Sequence, residues 1–348
     1  MTLGALLVRF LAAAIIVIVA GTVLARSGDV IAARTKLGGA WVGSVFLAVA
    51  TSLPEIVTDI SAVRLGAIDL AVGDLFGSSM ANMLILALIS LAPAGVDMFR
   101  KAALDHALYG CLAIVMTVLA TMGIATRAGT SVFGIGTWSV LLVVTYAVTS
   151  SLTFRFSTMA RVAGGVTEMT GTESAGMEAG NADISAASTP PNTLRRAVVS
   201  FMVAALVIVG AAPQFAHAAE GLAVASGLGY TFMGTWLVGL STSLPELVTS
   251  MAAVRFRAYD LAVGNLFGSN AINMTVFAVL DPFHSAPILS VASSTHMLTA
   301  LVSVVLMTVA LGTLVLRGKR VKAREPGSLL VVLGYVSGLA LVYWQTAR

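Results

Sequence analysis

One stretch of this chain occurs twice, and that constrains the fold more than any other feature. Residues 51–84 read TSLPEIVTDISAVRLGAIDLAVGDLFGSSMANML, and residues 242–275 read TSLPELVTSMAAVRFRAYDLAVGNLFGSNAINMT. Aligned without a gap at an offset of 191, they agree at 22 of 34 positions. A match of this length is an internal duplication, so the chain is built from two related units. Each copy sets a glutamate, Glu55 or Glu246, in an otherwise apolar run, and an asparagine, Asn82 or Asn273, follows it 27 residues later. Apolar spans need neither residue, so the function is expected to lie here.

The surroundings of these polar residues decide what they mean. The chain is 58% hydrophobic and 10% charged, against about 25% charged in a soluble domain. It is therefore an all-α polytopic membrane protein by composition, with the lipid bilayer as its first partner. A net charge of +4 would suggest nucleic acid in a soluble protein. Here the basic residues stand between apolar runs and act as topology signals, so no nucleic-acid partner is expected. The single cysteine, Cys111, excludes an intrachain disulfide and a multi-cysteine metal centre.

A helical span needs about 20 mostly apolar residues. Ten runs qualify: 4–25, 38–63, 70–92, 104–124, 131–152, 194–216, 229–254, 261–281, 294–316 and 327–345. The first carries Arg9 early and small residues near Ala25, as a secretory signal would. Its removal would leave nine spans and break the match between halves. Residues 153–193, rich in Gly, Ser, Thr and Ala, read as a flexible linker. The domains are then a first five-helix repeat, 1–152, the linker, and a second five-helix repeat, 194–348.

Five is odd, so the second unit enters the membrane from the opposite side. The repeats are inverted about an axis in the membrane plane, a transporter architecture with its site near the midplane. Of the 20 Lys and Arg residues, 16 fall in the loops after spans one, three, five, seven and nine. Basic residues accumulate on the cytoplasmic side. Both termini are therefore expected outside and the linker inside, in a cytoplasmic membrane.

Within the first copy, Pro54 lacks a backbone donor and clashes with the carbonyl of Ala50, so the helix is expected to kink or open. Freed carbonyls and the hydroxyls of Thr51 and Ser52 then become oxygen ligands, as do those of Thr242 and Ser243 in the second copy. Open backbone at this depth is tolerated where it lines a cavity or is buried in protein. Asp74, Ser78 and Asn82 lie at i, i+4, i+8 on one helical face, and Asn265, Ser269 and Asn273 repeat the spacing. Folding inverted halves together brings Glu55, Glu246, Asn82 and Asn273 around one centre. Oxygen ligands with carboxylates suit hard cations such as Ca²⁺ and Na⁺. A −2 centre is balanced by one Ca²⁺ or by monovalent ions, and competition for the same oxygens is the physical basis of antiport.

Blander readings exist for each piece. A single TSLPE is as readily a proline kink beside a glutamate paired with another helix, but two copies at a fixed offset argue against that. Gly73, Gly77, Gly264 and Gly268 suit close helix packing, which leaves the asparagines unexplained. His106, His217, His284 and His296 sit near span ends, share no spacing and read as interfacial. Asp59 and Asp74 have Ser250 and Asn265 as counterparts, so they break the symmetry. On the outer side of the centre they are expected to form an acidic vestibule, the alternative being a pair with a basic residue such as Arg64.

The paired TSLPE and GS-x-x-x-N motifs resemble the alpha repeats of the sodium/calcium exchanger branch of the cation/calcium antiporter superfamily. The resemblance implies that Glu55 and Glu246 are shared ligands of Ca²⁺ and Na⁺. It further implies that Thr51, Ser52, Thr242 and Ser243 add oxygens, and that Ser78 and Ser269 serve flanking Na⁺ sites. Asn82 matches the family's asparagine. Two positions depart: Asn273 stands where well-known members carry aspartate, and Ser79 where GSN is usual. The proton-coupled branch carries a glutamate in its GN-type motif, and the GSS and GSN of this chain favour Na⁺.

The leading expectation is Na⁺/Ca²⁺ antiport by alternating access. Ca²⁺/H⁺ antiport is the nearest alternative, and a passive cation channel is a third. An intramembrane enzyme is disfavoured, since the chain has no HExxH, no GxSxG and no clustered His or Cys. No cofactor and no protein partner are implied, only inorganic cations as substrates.

Overall fold

The structure, a computed structural model, describes residues 3–35, 39–91, 104–168, 192–225, 239–317 and 326–346. The helices are α1 Leu3–Thr35, α2 Gly39–Arg64, α3 Ile68–Leu91, α4 Leu104–Thr126, α5 Thr137–Glu168, α6 Asn192–Ala225, α7 Gly239–Thr242, α8 Leu244–Arg255, α9 Tyr259–Leu280, α10 His296–Arg317 and α11 Pro326–Thr346. Shifting α1, α3, α4 and α5 by about 191 residues reproduces the starts of α6, α9, α10 and α11, so the duplication extends well beyond the two motifs. Nine helices among the described residues are long and apolar enough to cross a membrane. Of the seventh expected run, 229–254, residues up to 238 lie outside the described residues, and the remainder forms α7 and α8.

Burial sorts the helices into two groups. In α3 and α9 nearly every side chain is buried, which explains their apolar character on all sides. In α1 and α6 large apolar side chains such as Ile15, Val19, Val203 and Leu206 are exposed, as lipid-facing residues are. These two helices pack along one another. At 33 residues, α1 is about 50 Å long, well over the roughly 30 Å of a hydrocarbon core.

Small residues set the closest approaches. A Cβ on Gly268 of α9 would stand 2.4 Å from the Ser44 carbonyl oxygen, and one on Gly43 would stand 2.6 Å from that of Leu261. Here α2 lies backbone to backbone on α9. The connection from α2 to α3 is a tight αL cap, in which Gly66 has φ +79° and Ala67 donates to the Ala62 carbonyl at 2.9 Å. Its counterpart from α8 to α9 has the same bond, Ala258 to Ala253 at 2.9 Å, but the αL position is Arg257 with φ +61°.

Three expectations change. The run 131–152 begins as a hairpin, Ser131–Val132 against Ile135–Gly136. Phe133 and Gly134 both have positive φ, as a two-residue type I′ turn requires. The stretch 153–193 is not linker from its start: α5 continues to Glu168, because residues such as Met159, Ala160 and Arg161 let a formed helix propagate. Residues 169–191 lie outside the described residues.

Two of the four histidines, His106 and His296, also change. His106 Nε2 lies 2.9 Å from Asp260 Oδ1, and His296 Nε2 lies 3.2 Å from Asp69 Oδ1. Asp69 and Asp260 are counterparts in the duplication, and His106 and His296 occupy its equivalent helices one residue out of register. Each pair joins one half to the other. Such reciprocal contacts are what a two-fold axis produces.

Candidate functional site

The site is assembled from α2, α3, α7, α8 and α9, and its irregular backbone is not where the prolines alone would put it. Pro54 sits inside the continuous helix Ala48–Arg64, and the irregularity precedes it as a π turn, Val42–Leu47. Pi turns often mark functional sites in helices. In the second half the helix does break, at Ser243, and Pro245 enters the first turn of α8, where its missing donor does no harm. Identical TSLPE sequences thus sit on different backbones.

Two mirror networks join the halves. Thr51 Oγ1 donates to Asn265 Oδ1 at 3.2 Å and lies 3.5 Å from Ser269 Oγ. In the counterpart, Thr242 Oγ1 donates to Asp74 Oδ1 at 2.9 Å and lies 3.2 Å from Ser78 Oγ. Ser78 also donates to Asp74 at 3.3 Å, and Ser269 donates to Glu246 Oε1 at 3.4 Å.

The centre is dry and under-bonded. Ser52, Glu55, Asn82, Ser243, Glu246 and Asn273 are at most 1% exposed. Yet the hydroxyls of Ser52 and Ser243, Oε2 of Glu55 and Glu246, Oδ1 of Asn82 and both amide atoms of Asn273 have no hydrogen-bond partner. These atoms form counterpart pairs: Ser52 with Ser243, Glu55 with Glu246, Asn82 with Asn273. Not every buried polar group is left so. Asp281, also 0% exposed, receives the backbone N–H groups of Gly136 and Ile288, both at 2.8 Å. A buried carboxylate oxygen without a donor costs several kcal/mol, so six residues left in this state in symmetric pairs fit oxygen ligation of a hard cation. Among the described residues no three His, Cys, Asp or Glu side chains form a metal cluster. A cation here would rest on one or two carboxylates together with neutral oxygens.

Asp59 and Asp74 are each 1% exposed, so in this structure they are not surface groups of an open mouth. Their counterparts Asn265 and Ser250 are bonded to each other, Asn265 Nδ2 donating to Ser250 Oγ at 3.1 Å. Arg64 does not pair with the two aspartates; its guanidinium lies 4.6 Å from the Phe283 ring centroid. One contributor is absent from the sequence expectation. Asn270 accepts from Asn82 Nδ2 at 2.8 Å and donates to the Ser79 carbonyl at 3.3 Å. The signal for it is the departure at GSS, since Ser79 and Asn270 are counterparts.

Comparison with known proteins agrees with this arrangement. Residues 5–156 and 196–344 match the family described as sodium/calcium exchanger protein. The chain is 24% identical to the putative antiporter CaxA of Alkalimonas amylolytica, over 84% of this chain and 86% of that protein. It is 27% identical to the inner membrane protein YrbG of Escherichia coli, over 87% of this chain and 86% of that one. A shorter match, 29% identical over 42% of this chain and 41% of the other, is to the sodium/calcium exchanger MaX1 of Methanosarcina acetivorans. The fold is that of the sodium-calcium exchanger NCX_Mj, with TM-score 0.69 and 21% identity over 97% of this chain and 99% of that one.

Proposed function

The chain belongs to the sodium/calcium exchanger protein family, a family of transporters and not enzymes, and on that premise we propose that it exchanges Ca²⁺ for Na⁺ across a cytoplasmic membrane by alternating access. Glu55 and Glu246 hold Ca²⁺ and Na⁺ in turn. Thr51, Ser52, Thr242, Ser243, Asn82 and Asn273 supply neutral oxygens, and Ser78 and Ser269 flank the centre as Na⁺ positions. A bound Ca²⁺ neutralises the two glutamates, as do two Na⁺, so neither exchange step leaves a bare −2 centre in a low-dielectric interior. No cofactor takes part.

The observation that carries this reading is the symmetric set of donorless buried oxygens led by Glu55 Oε2 and Glu246 Oε2. The 16 basic residues on one side of the spans support an outward N-terminus and C-terminus. Asp59 and Asp74 then stand on the outer side of the centre.

Uptake of radiolabelled Ca²⁺ into proteoliposomes tests the coupling. An outward Na⁺ gradient is expected to drive accumulation, and an outward proton gradient is not. Accumulation driven only by the proton gradient overturns Na⁺ coupling and selects Ca²⁺/H⁺ exchange.

A further inference from the structure

Asp59 and Asp74 break the two-fold symmetry of the site. In the second half the same places hold Ser250 and Asn265, and that network is complete. Asn265 Nδ2 donates to Thr249 Oγ1 at 3.2 Å and to Ser250 Oγ at 3.1 Å, while its Oδ1 accepts from Thr51. It carries no charge and leaves no buried polar atom unbonded.

The first-half network is not complete. Both oxygens of Asp59, Oδ2 of Asp74 and Oγ1 of Thr58 have no hydrogen-bond partner, and all three residues are more than nine-tenths buried. Thr58 differs from its counterpart: Thr249 Oγ1 donates back to the Pro245 carbonyl at 2.7 Å, but Thr58 makes no such bond. Among the described residues neither aspartate has a lysine, arginine or histidine ion-pair partner. Two buried carboxylates with no cationic partner are far more costly than one. The donor set left over consists only of oxygens.

We propose that Asp59 and Asp74, with the hydroxyl of Thr58, form a second divalent-cation site that exists only in the first half. Two carboxylates match a divalent charge, which one Na⁺ would leave half uncompensated. Ca²⁺ accepts irregular sets of carboxylate, hydroxyl and carbonyl oxygens. The proposal rests on the central Glu55–Glu246 site being a cation site, and the two are separable by experiment.

The test is equilibrium binding of radiolabelled Ca²⁺ to the purified full-length protein in Na⁺-free detergent solution. Wild type is expected to bind about two Ca²⁺ per chain, given one divalent ion for each pair of carboxylates. Asp59→Ser with Asp74→Asn installs the Ser–Asn pairing already present in the second half, so it should fold. It is expected to bind about one. Asp59→Ser alone keeps the Thr242–Asp74 bond and should lose the same ion. Glu55→Gln with Glu246→Gln should lose the other ion and keep this one. Unchanged Ca²⁺ binding in both aspartate variants overturns the proposal, as a pair held together by a shared proton would give. Loss in the aspartate variants with none in the glutamate variant upholds it and overturns the central site instead.

Discussion

Asn82 donates from Nδ2 to Asn270 Oδ1 at 2.8 Å, and so ties α3 of one half to α9 of the other. Both residues are at most 1% exposed. Asn270 also donates to the Ser79 carbonyl, so a residue with no counterpart amide in the first half bridges the two-fold axis. The bond turns Asn82 Oδ1, which no donor reaches, into an oxygen held in a fixed place.

Asn270→Ser, which copies the GSS of the first half into the second, should therefore loosen the contact between halves. Loss of this buried bond leaves Asn82 Nδ2 without an acceptor, at about 1–3 kcal/mol. Thermal unfolding in detergent, followed by monodispersity, should show a lower midpoint. An unchanged midpoint would mean the bond contributes nothing.

Close helix approach makes a second prediction with its own control. Gly268→Ala forces α2 and α9 apart, because the obstacle is the Ser44 backbone, and overpacking of this kind costs about 1–3 kcal/mol. Gly210→Ala in α6, where a Cβ meets nothing within 4 Å, should be neutral or gain up to about 1 kcal/mol from helix propensity. Equal stability of the two variants would refute the backbone contact.

The cross-half His–Asp pairs should act as equivalents. His106→Ala and His296→Ala are each expected to lower stability by about 1 kcal/mol, a modest figure because Asp260 and Asp69 are half exposed. A double-mutant cycle of His106→Ala with Asp260→Ala should show coupling, and His106→Ala with Asp69→Ala should not. Coupling in the second pairing and none in the first would contradict the two-fold arrangement.

Orientation is open to labelling. In a Cys111→Ser background, a cysteine introduced at Ser174 should resist an impermeant thiol reagent on intact cells and react after permeabilisation. Reaction on intact cells would reverse the proposed topology.

Much of the fold is legible in the sequence because it rests on long apolar runs and on a repeat that no alignment is needed to see. The paired glutamates are legible because a carboxylate in an apolar span has few explanations. What escapes is set by contacts across the halves. Asn270 meets Asn82 over 188 residues of sequence, and nothing local to GSN announces it. His106 and His296 are equivalent in space but one residue out of register in sequence, so a fixed offset misses them. Pro54 and Pro245 share every neighbour within TSLPE, yet one lies in a continuous helix and the other begins one. Asp59 and Asp74 are legible as asymmetry, but only the packed structure shows both of them buried.

The central claim is that Glu55 and Glu246, from opposite halves, form one site for both transported ions. Na⁺-gradient-driven uptake of radiolabelled Ca²⁺ by proteoliposomes of Glu55→Gln and of Glu246→Gln tests it most directly, with each variant first shown to be folded. Each should lose uptake by about 100-fold or more relative to wild type, since removing one partner of a buried charge constellation costs about 3–5 kcal/mol. Uptake within a few-fold of wild type in either variant would contradict the shared site.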